Sequence, residues 1–326
     1  MLAKVRPLAF VRKRSWRLLV PLLFGMLAIV PPQSYCEVVE KLGYGGSYLD
    51  FMRLYVRGYH GFCQDGCLIL PTWNHLWFVA YLWVYTVVLA VVVMLFGARF
   101  DALAQALGRV LSGWRIIVLP AALLALARML MLERFPTTHA LVDDWYAHAS
   151  YFIVFLLGAL LARVPAFWPR VEALRWPALG LALAGWTLTI VWNALPDAAI
   201  AGTAWELLIH PMRCIVALLA WSAILAACGF ARRHLDRDGP ARRYLTEAVF
   251  PVYILHQTLI VVLAHALKPL HLAPGLEAPM LIVLTTVLCF AGFEIVRRVP
   301  VLRPLFGLDS RRSRAALAPT LATSAI

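Results

Sequence analysis

The sequence contains few charged residues, and this scarcity excludes most classes of soluble protein. Of its 326 residues only 14% are charged, whereas 62% are hydrophobic, and the mean hydropathy is +0.78. In soluble domains roughly a quarter of the residues are charged, and a soluble fold of this length cannot bury so much apolar surface. The composition therefore predicts an integral membrane protein whose main solvent is the lipid bilayer.

Acidic residues are scarcer than basic ones, at 17 against 30, which gives a net charge of +13. Such an excess can indicate a protein that binds nucleic acid. Here, however, the basic residues stand in short clusters between long apolar runs. This arrangement is typical of a membrane protein that keeps lysine and arginine on one side of the bilayer. We therefore expect no nucleic-acid partner.

Cysteine is also scarce, and the six cysteines are scattered. Cys214, Cys228 and Cys289 lie in apolar runs and are interpreted as small buried residues. Cys63 and Cys67 share one polar loop, where a disulfide can form if that loop is extracytoplasmic. A metal site is disfavoured there, because the spacing is not CxxC and no second cysteine pair accompanies it.

Apolar stretches dominate what is present, and eight are long enough to cross a hydrocarbon core of about 30 Å with about 20 helical residues each. They predict an all-α, polytopic bundle of eight transmembrane helices. The stretches are 16–35, 75–96, 114–132, 145–163, 177–195, 212–230, 249–267 and 279–299. We expect one transmembrane domain over 1–308, a large periplasmic loop within it at 34–74, and a disordered cytoplasmic tail at 309–326.

The basic residues orient these helices. With the amino terminus inside, most of the 30 lysines and arginines fall on inside segments. The outside segments hold only Lys41, Arg53, Arg57, Arg134 and Lys268. Because this bias alternates through every loop, the positive-inside rule predicts that both termini are cytoplasmic.

Ionisable groups within apolar spans are costly and are therefore functional candidates. At a rise of 1.5 Å per residue, Arg128 is expected in the outer third of its span, with Arg213 and His75 near the outer ends of theirs. Asn193 precedes a loop on the same side. Together with the interfacial Trp77, these residues predict an outer face that binds a hydroxylated or anionic substrate. The structural alternatives are headgroup contact for Arg213, pairing within the bundle for Arg128 and helix capping for His75.

The segment FPVYILHQ at 250–257 is the sharpest single feature of the sequence. His256 is expected about 10 Å from the cytoplasmic start of its span, and Tyr253 shares its helix face. A neutral imidazole can take a proton from a hydroxyl and return it, as acyl transfer to an alcohol requires. The structural alternative is a histidine bonded to a neighbouring helix. His256, Tyr253 and His75 are the predicted catalytic residues.

A basic opening precedes the first span. Arg14 and Arg17 are three residues apart on a predicted helix and, with Arg12, can bind a phosphorylated cytoplasmic donor such as coenzyme A. An ordinary positive-inside anchor explains the same residues. Both interpretations remain open from the sequence.

Several stretches, taken in order, resemble the acyltransferase 3 family of membrane O-acyltransferases, and within it the glucan biosynthesis protein C branch. They are the run 10–21, NHLWF at 74–78, FLLG at 155–158, FPVYILHQ at 250–257 and LRPLFG at 302–307. The resemblance implies transfer of an acyl group, such as succinyl or acetyl, from acyl-CoA to a hydroxyl of an extracytoplasmic glycan such as a periplasmic glucan. It also implies a bacterial inner membrane and no bound cofactor or metal.

The resemblance also includes a departure. Family members begin with two further helices, the first carrying an arginine and a histidine held essential for catalysis, and no residues here match them. The sequence therefore corresponds to the family without those two helices. Three explanations compete: a start codon assigned too far downstream, a gene fragment, or a true short form that has lost or relocated its chemistry. The first two are favoured, and either of them would leave the sequence catalytically incomplete.

Two other classes of function compete with the enzyme. One is a transporter or flippase of a glycan or lipid, which uses the same polar outer face. Discontinuous helices in corresponding positions of two halves would favour it, and the sequence shows no such symmetry. The other is a non-catalytic membrane partner.

Overall fold

The computed structural model describes residues 7–63, 66–196, 200 and 202–309. Within these ranges every named element is a helix, which confirms the all-α class. The disordered tail predicted for 309–326 lies outside the described residues, apart from Asp309.

Helices occupy all eight predicted spans. The α-helices are α1 Pro7–Phe24, α2 Val30–Leu42, α3 Tyr48–Val56, α4 Trp77–Val110, α5 Arg115–Met131, α6 Trp145–Leu161, α7 Phe167–Ala173, α8 Arg175–Asn193, α9 Ile209–Leu235, α10 Pro240–Leu267, α11 Pro274–Arg298 and α12 Leu302–Leu305. A π-helix, Gly25–Ile29, joins α1 to α2, and short 3-10 helices lie at Asn74–Leu76, Ala204–Leu208 and Lys268–Leu270.

Five helical stretches of the described chain are long and apolar enough to cross a membrane: Leu8–Leu42, Asn74–Val110, Ala204–Leu235, Pro240–Leu270 and Pro274–Arg298. The pair α7 and α8, bent by 60°, gives a sixth if it counts as one span. Helices α5 and α6 have 17 residues each, so each is about 26 Å long. The molecule is therefore a polytopic membrane protein, and the count of eight spans and their orientation stay predictions.

Helix α11 shows why a bilayer is needed. Its side chains Ile282, Val283 and Val287 are 66%, 60% and 59% exposed, although all three are large and apolar. Cys289 and Phe293 on the same helix are buried. A helix that leaves contiguous apolar surface exposed requires an apolar medium around it.

Close contacts divide the chain into two compact units. The first comprises the described parts of Met1–Val84 and Pro240–Ile326, and the second is Tyr85–Gly239. In the first unit, α10 packs on α11 and α2, while α12 contacts α1 and α11. In the second, α9 packs on α8, α5 and α7, and α5 packs on α6.

The first span is longer than predicted, because the helix continues through Pro31 and Pro32 to Leu42. These prolines carry no N–H, so they cannot donate to the carbonyls of the preceding turn. The chain accommodates them with the widened π turn at Gly25–Ile29. Helix α2 then ends at Gly43, whose φ of +63° is a left-handed conformation that glycine adopts readily.

The expected loop at 34–74 is largely ordered. After α2 its described residues form a cap, defined as residues 43–73, which contains α3. The Ser47 side chain begins α3 by accepting a hydrogen bond from the backbone N–H of Asp50. An apolar cluster fills the cap and ties it to α2: Val38, Phe51, Tyr55, Phe62 and Leu70.

A disulfide joins Cys63 to Cys67 in this cap. Disulfides persist in oxidising compartments, so the bond agrees with the outer location predicted for this segment. Of the cysteines expected to be small buried residues, Cys289 is buried and Cys228 is intermediate. The expectation is wrong for Cys214, because its side chain is exposed at the surface of α9.

A buried guanidinium anchors α12 at the end of the described chain. Arg303 is only 4% exposed, and its Nη2 lies 3.0 Å from Oε1 of Glu247. Its other nitrogens donate to the carbonyl oxygens of Arg297 and Asp309, each at 2.9 Å. Each of the three guanidinium nitrogens therefore has a partner, and the segment LRPLFG is held by its arginine.

We expect Arg303→Met to destabilise the protein by about 3 kcal/mol, because it leaves the Glu247 carboxylate buried without its countercharge. The double variant with Glu247→Leu should recover part of this loss. Thermal unfolding in detergent measures both. The control is Arg298→Met, which removes a guanidinium whose side chain is 72% exposed. Equal melting temperatures for the two single variants would contradict a stabilising role for Arg303.

Candidate functional site

A hydrogen-bonded turn at the end of the cap leads into the helices of the first unit. The backbone N–H of Asn74 donates to Thr72 Oγ1 at 3.2 Å, and its side-chain Nδ2 lies 3.4 Å from Ser34 Oγ. Asn74 has a φ of +43°, a conformation that asparagine tolerates better than most residues. Ser34 is fully buried. The turn therefore lies against the interior of the bundle, with His75 directly after it.

The side chain of Leu76 holds the turn against the π-helix. Its side chain is fully buried, and it packs so closely on Gly25 that a Cβ at that glycine would overlap it. The absence of a side chain at Gly25 is thus what gives the turn its place beside the π-helix.

Tyr55 connects the cap, the π-helix and the turn. Its Oη lies 2.8 Å from the carbonyl oxygen of Met26 and 3.0 Å from that of Thr72, and it accepts the backbone N–H of Thr72 at 3.2 Å. Burial raises the pKa of Tyr55 to about 12, so the hydroxyl remains a donor at physiological pH. One fully buried side chain thereby holds three backbone groups at the base of the cap.

The three predicted catalytic side chains lie close together in the first unit. The ring centroids of His75 and His256 are 5.4 Å apart, and that of Tyr253 lies 6.0 Å from His75 and 5.8 Å from His256. The Tyr253 hydroxyl donates to the carbonyl oxygen of His75 at 2.6 Å. The structure therefore places two imidazoles and a phenol in one cluster.

The hydrogen bonds of the two histidines define which nitrogens can act as bases. His75 Nε2 faces the carbonyl oxygen of Ile254 at 3.0 Å, and His256 Nδ1 faces that of Tyr253 at 2.8 Å. A carbonyl oxygen only accepts, so these nitrogens carry the protons in the neutral rings. His75 Nδ1 and His256 Nε2 are then the basic nitrogens. Within the described residues, His75 Nδ1 is buried and has no partner.

The contact between these histidines corrects the depths expected from the sequence. His256 was placed about 10 Å from a helix start at residue 249, and His75 near the opposite end of its span. Helix α10 actually begins at Pro240, which puts His256 about 24 Å along it. Asn74–Leu76 forms a 3-10 turn in which Leu76 is fully buried and His75 is half-buried. The two histidines therefore meet at one level.

A cavity of about 640 Å³ lies in the same unit, between α2, α10 and α11. Its inner residues include Gln33 and Asn74, the neighbour of His75. Gln33 Oε1 also accepts the Thr258 hydroxyl at 3.4 Å. The remaining lining is apolar on α10 and charged towards the ends of the helices: Cys36, Glu37, Glu40, Lys41, Ile260, Val261, Ala264, His265, Lys268 and Glu277.

Ion pairs neutralise most charges of this cavity. Glu40 accepts His265 Nδ1 at 2.6 Å and Lys268 Nζ at 3.3 Å, and Glu37 pairs with Lys41 at 2.7 Å. The lining holds the carboxylates of Glu37, Glu40 and Glu277 against Lys41, Lys268 and the His265 imidazole, so the cavity presents many hydrogen-bonding atoms and little net charge. Such a lining suits an uncharged polar ligand better than a strongly ionic one.

The predicted substrate-binding residues divide between the two units. Trp77 is half-buried in the first unit, where its ring contacts Phe78 and Tyr81, and it does not line the cavity. Arg128 and Arg213 belong to the second unit and are described below. Asn193 is exposed at the end of α8. Their roles in substrate binding stay predictions.

The predicted donor-binding arginines lie on α1. Arg12 and Arg17 are exposed, and Arg14 is half-buried with its guanidinium 5.8 Å from the Phe10 ring. In the part of the chain that the structure describes, no carboxylate forms an ion pair with any of the three. Their charges remain available to an anionic ligand, and their role in donor binding stays a prediction.

Sequence reasoning missed Gln33, Ser34, Tyr55 and Thr258. The pair Gln33–Ser34 follows two prolines in an otherwise apolar stretch, and this polar interruption was a detectable signal. Thr258 lies on a helical segment two residues after His256, where a hydroxyl also interrupts an apolar run. Tyr55 had no local signal, because its importance comes from partners 17 and 29 residues away.

We expect Tyr55→Phe to destabilise the protein by about 1–3 kcal/mol, because it removes the buried hydroxyl that bonds the backbone of Met26 and Thr72. Hydrogen exchange at residues 72–76 should also become faster, since the turn loses its link to the π-helix. Thermal unfolding and exchange mass spectrometry measure these effects. Tyr59→Phe, at a tyrosine 42% exposed, is the matched control. Unchanged exchange in Tyr55→Phe would show that the turn holds without this hydroxyl.

The comparisons with known proteins point to one family. The family model described as an acyltransferase domain, Acyl_transf_3, matches residues 6–294. Comparison with curated proteins gives no significant match, and comparison with solved structures gives none either. Since the family model spans well over half of the sequence, the chain belongs to the acyltransferase 3 family and is a membrane acyltransferase.

Proposed function

We propose that this protein transfers an acyl group from acyl-CoA to a hydroxyl of an extracytoplasmic glycan. The acyl group is succinyl or acetyl, the acceptor is a periplasmic glucan, and the location is a bacterial inner membrane with both termini cytoplasmic. One observation supports the proposal above others: the His75 and His256 rings lie 5.4 Å apart in the unit that also contains the cavity, in a chain of an acyltransferase family.

The reaction needs a base for the acceptor hydroxyl. His256 Nε2 is a basic nitrogen whose ring is oriented through Nδ1 by the Tyr253 carbonyl. In the proposed step it takes the proton of the hydroxyl while the hydroxyl oxygen attacks the thioester carbonyl. The C–S bond then breaks, and the departing coenzyme A sulfur receives that proton from the imidazolium. The products are an ester and free coenzyme A.

His75 and Tyr253 complete the proposed site. The Tyr253 hydroxyl is engaged with the His75 carbonyl, so we assign Tyr253 the task of positioning the turn. The basic Nδ1 of His75 has no partner in the described chain and is the second nitrogen able to bind a substrate hydroxyl.

The cavity of the first unit is the proposed route for the acceptor. Its volume of about 640 Å³ falls in the range of roughly 300–1,000 Å³ typical of small-molecule sites. Asn74 in its lining adjoins His75, and Gln33 adds a second amide. The wall offers amides, carboxylates and amines that can bind sugar hydroxyls.

Substitution of the base tests the proposal directly. We expect His256→Ala to lower acyl transfer by about 10²–10⁴-fold, the usual contribution of a general base. The assay uses the full chain in proteoliposomes, radiolabelled succinyl-CoA or acetyl-CoA, and a glucan acceptor. His234→Ala is the control, since that histidine is exposed in the second unit. Transfer by His256→Ala at the rate of the control would remove His256 from the mechanism.

The same assay separates this proposal from its rivals. A transporter or flippase moves labelled glycan across the vesicle membrane without consuming acyl-CoA, and a non-catalytic partner does neither. Ester formation that depends on both substrates supports the transferase. Its absence in the unaltered protein, under conditions in which the glycan crosses the membrane, would overturn the proposal.

The donor site has a separate prediction. We expect the double variant Arg14→Gln, Arg17→Gln to raise KM for acyl-CoA about tenfold or more, because each lost guanidinium removes a charge-assisted hydrogen bond to phosphate. The value of kcat should change little. Lys13→Gln removes an exposed charge from the same helix and is the control. If KM for acyl-CoA is the same in the double variant as in Lys13→Gln, the two arginines act as membrane anchors and do not bind the donor.

A further inference from the structure

Two arginines stand at the end of the α5–α9 pair in the second unit. Arg128 lies one turn before the end of α5, and Arg213 lies in the first turns of α9. Their sequence neighbours touch, because Cys214 Sγ is 3.7 Å from Met129 Sδ. Arg213 also pairs with Glu133, five residues after Arg128, so both arginines stand at the same contact between α5 and α9, hereafter called the layer.

One terminal nitrogen of the Arg213 guanidinium binds a carboxylate and the other has no partner in the described chain. Its Nη2 donates to Oε1 of Glu133 at 2.7 Å, and its side chain is 15% exposed against 68% for that glutamate. Nη1 is buried and has no partner among the described residues. The hydrogen bond from Arg213 lowers the pKa of Glu133, so this carboxylate is ionised and supplies one negative charge.

Arg128 has a neutral partner. Its Nη1 donates to the Tyr146 hydroxyl at 2.8 Å, with the guanidinium carbon 5.9 Å from the tyrosine ring. Its Nε is buried without a partner, and no carboxylate of the described chain forms an ion pair with it. Tyr146 orients this guanidinium but leaves its charge uncompensated.

The layer therefore has two positive charges and one negative charge. On each arginine, one buried nitrogen donates no hydrogen bond within the described chain. A buried donor without an acceptor costs about 1–3 kcal/mol, and an unpaired cation in an apolar surrounding costs more. Simple extension of the side chain towards water does not explain Arg213, because most of it is buried. An anion with several acceptor oxygens would accept hydrogen bonds from both of these nitrogens.

We propose that Arg128 and Arg213 bind a phosphate group, which uses Nε of Arg128 and Nη1 of Arg213. Phosphate fits because its oxygens accept from several guanidinium N–H groups at once, in the fork geometry that arginine provides. Both arginines belong to the second unit. Two sources supply this chemistry: the headgroup of an anionic phospholipid, and free inorganic phosphate.

The test uses the full chain in lipid nanodiscs of phosphatidylcholine, with or without phosphatidylglycerol. We expect phosphatidylglycerol to raise the melting temperature of the unaltered protein and to be retained on it in native mass spectrometry. Arg128→Gln and Arg213→Gln should each weaken this retention about tenfold, the effect of losing one charge-assisted hydrogen bond. Arg134→Gln makes the same charge change at an exposed arginine of the same segment and should bind as the unaltered protein does.

A second arm identifies the source of the phosphate. Inorganic phosphate is titrated into the protein in lipid-free neutral detergent, and stabilisation there that is lost in Arg128→Gln indicates the free anion. Arg128→Lys guards against misfolding, because it keeps the charge but removes the guanidinium fork, and it should also lose affinity. If neither phosphatidylglycerol nor phosphate distinguishes the Arg128 and Arg213 variants from Arg134→Gln, the proposal is wrong.

Discussion

The hydroxyl of Tyr55 and the turn beneath it form the interaction on which the candidate site depends. Within an apolar bundle, an irregular backbone segment survives only if its polar groups are paired inside the protein. The turn at 72–75 meets this condition through Tyr55, Ser34 and its own Thr72 side chain. His75 then binds the backbone of α10, which brings it to His256. The contact between His75 and His256 therefore depends on the turn, and the turn depends on its hydrogen bonds to Tyr55 and Ser34.

The all-α membrane class was predictable from apolar stretches alone, but the extents of the helices were not. Hydropathy detects the part of a helix that faces lipid. It does not detect the polar continuation, such as the residues from Pro240 to the start of the apolar run, or those after Tyr35 in α2. Backbone hydrogen bonding continues through both regions. The π turn was likewise not predictable, because it depends on how the backbone accommodates Pro31 and Pro32.

For the site, residue chemistry was predictable and proximity was not. His75, Tyr253 and His256 were identified because imidazole and phenol groups are unusual in apolar segments. Their contact was missed because depth had been counted from the ends of apolar stretches, which set the histidines at opposite ends of their spans. Tyr55 and Gln33 depend on partners distant in sequence, so no local pattern could assign their roles.

The two units treat charge differently, and this difference bears on what each can do. In the first unit, Glu40 binds both His265 and Lys268 at the cavity, so little uncompensated charge remains there. A lining of paired charges suits an uncharged polar acceptor such as a glycan hydroxyl. In the second unit, the guanidinium groups of Arg128 and Arg213 outnumber their carboxylate partner. That surplus of positive charge is what an anion site requires.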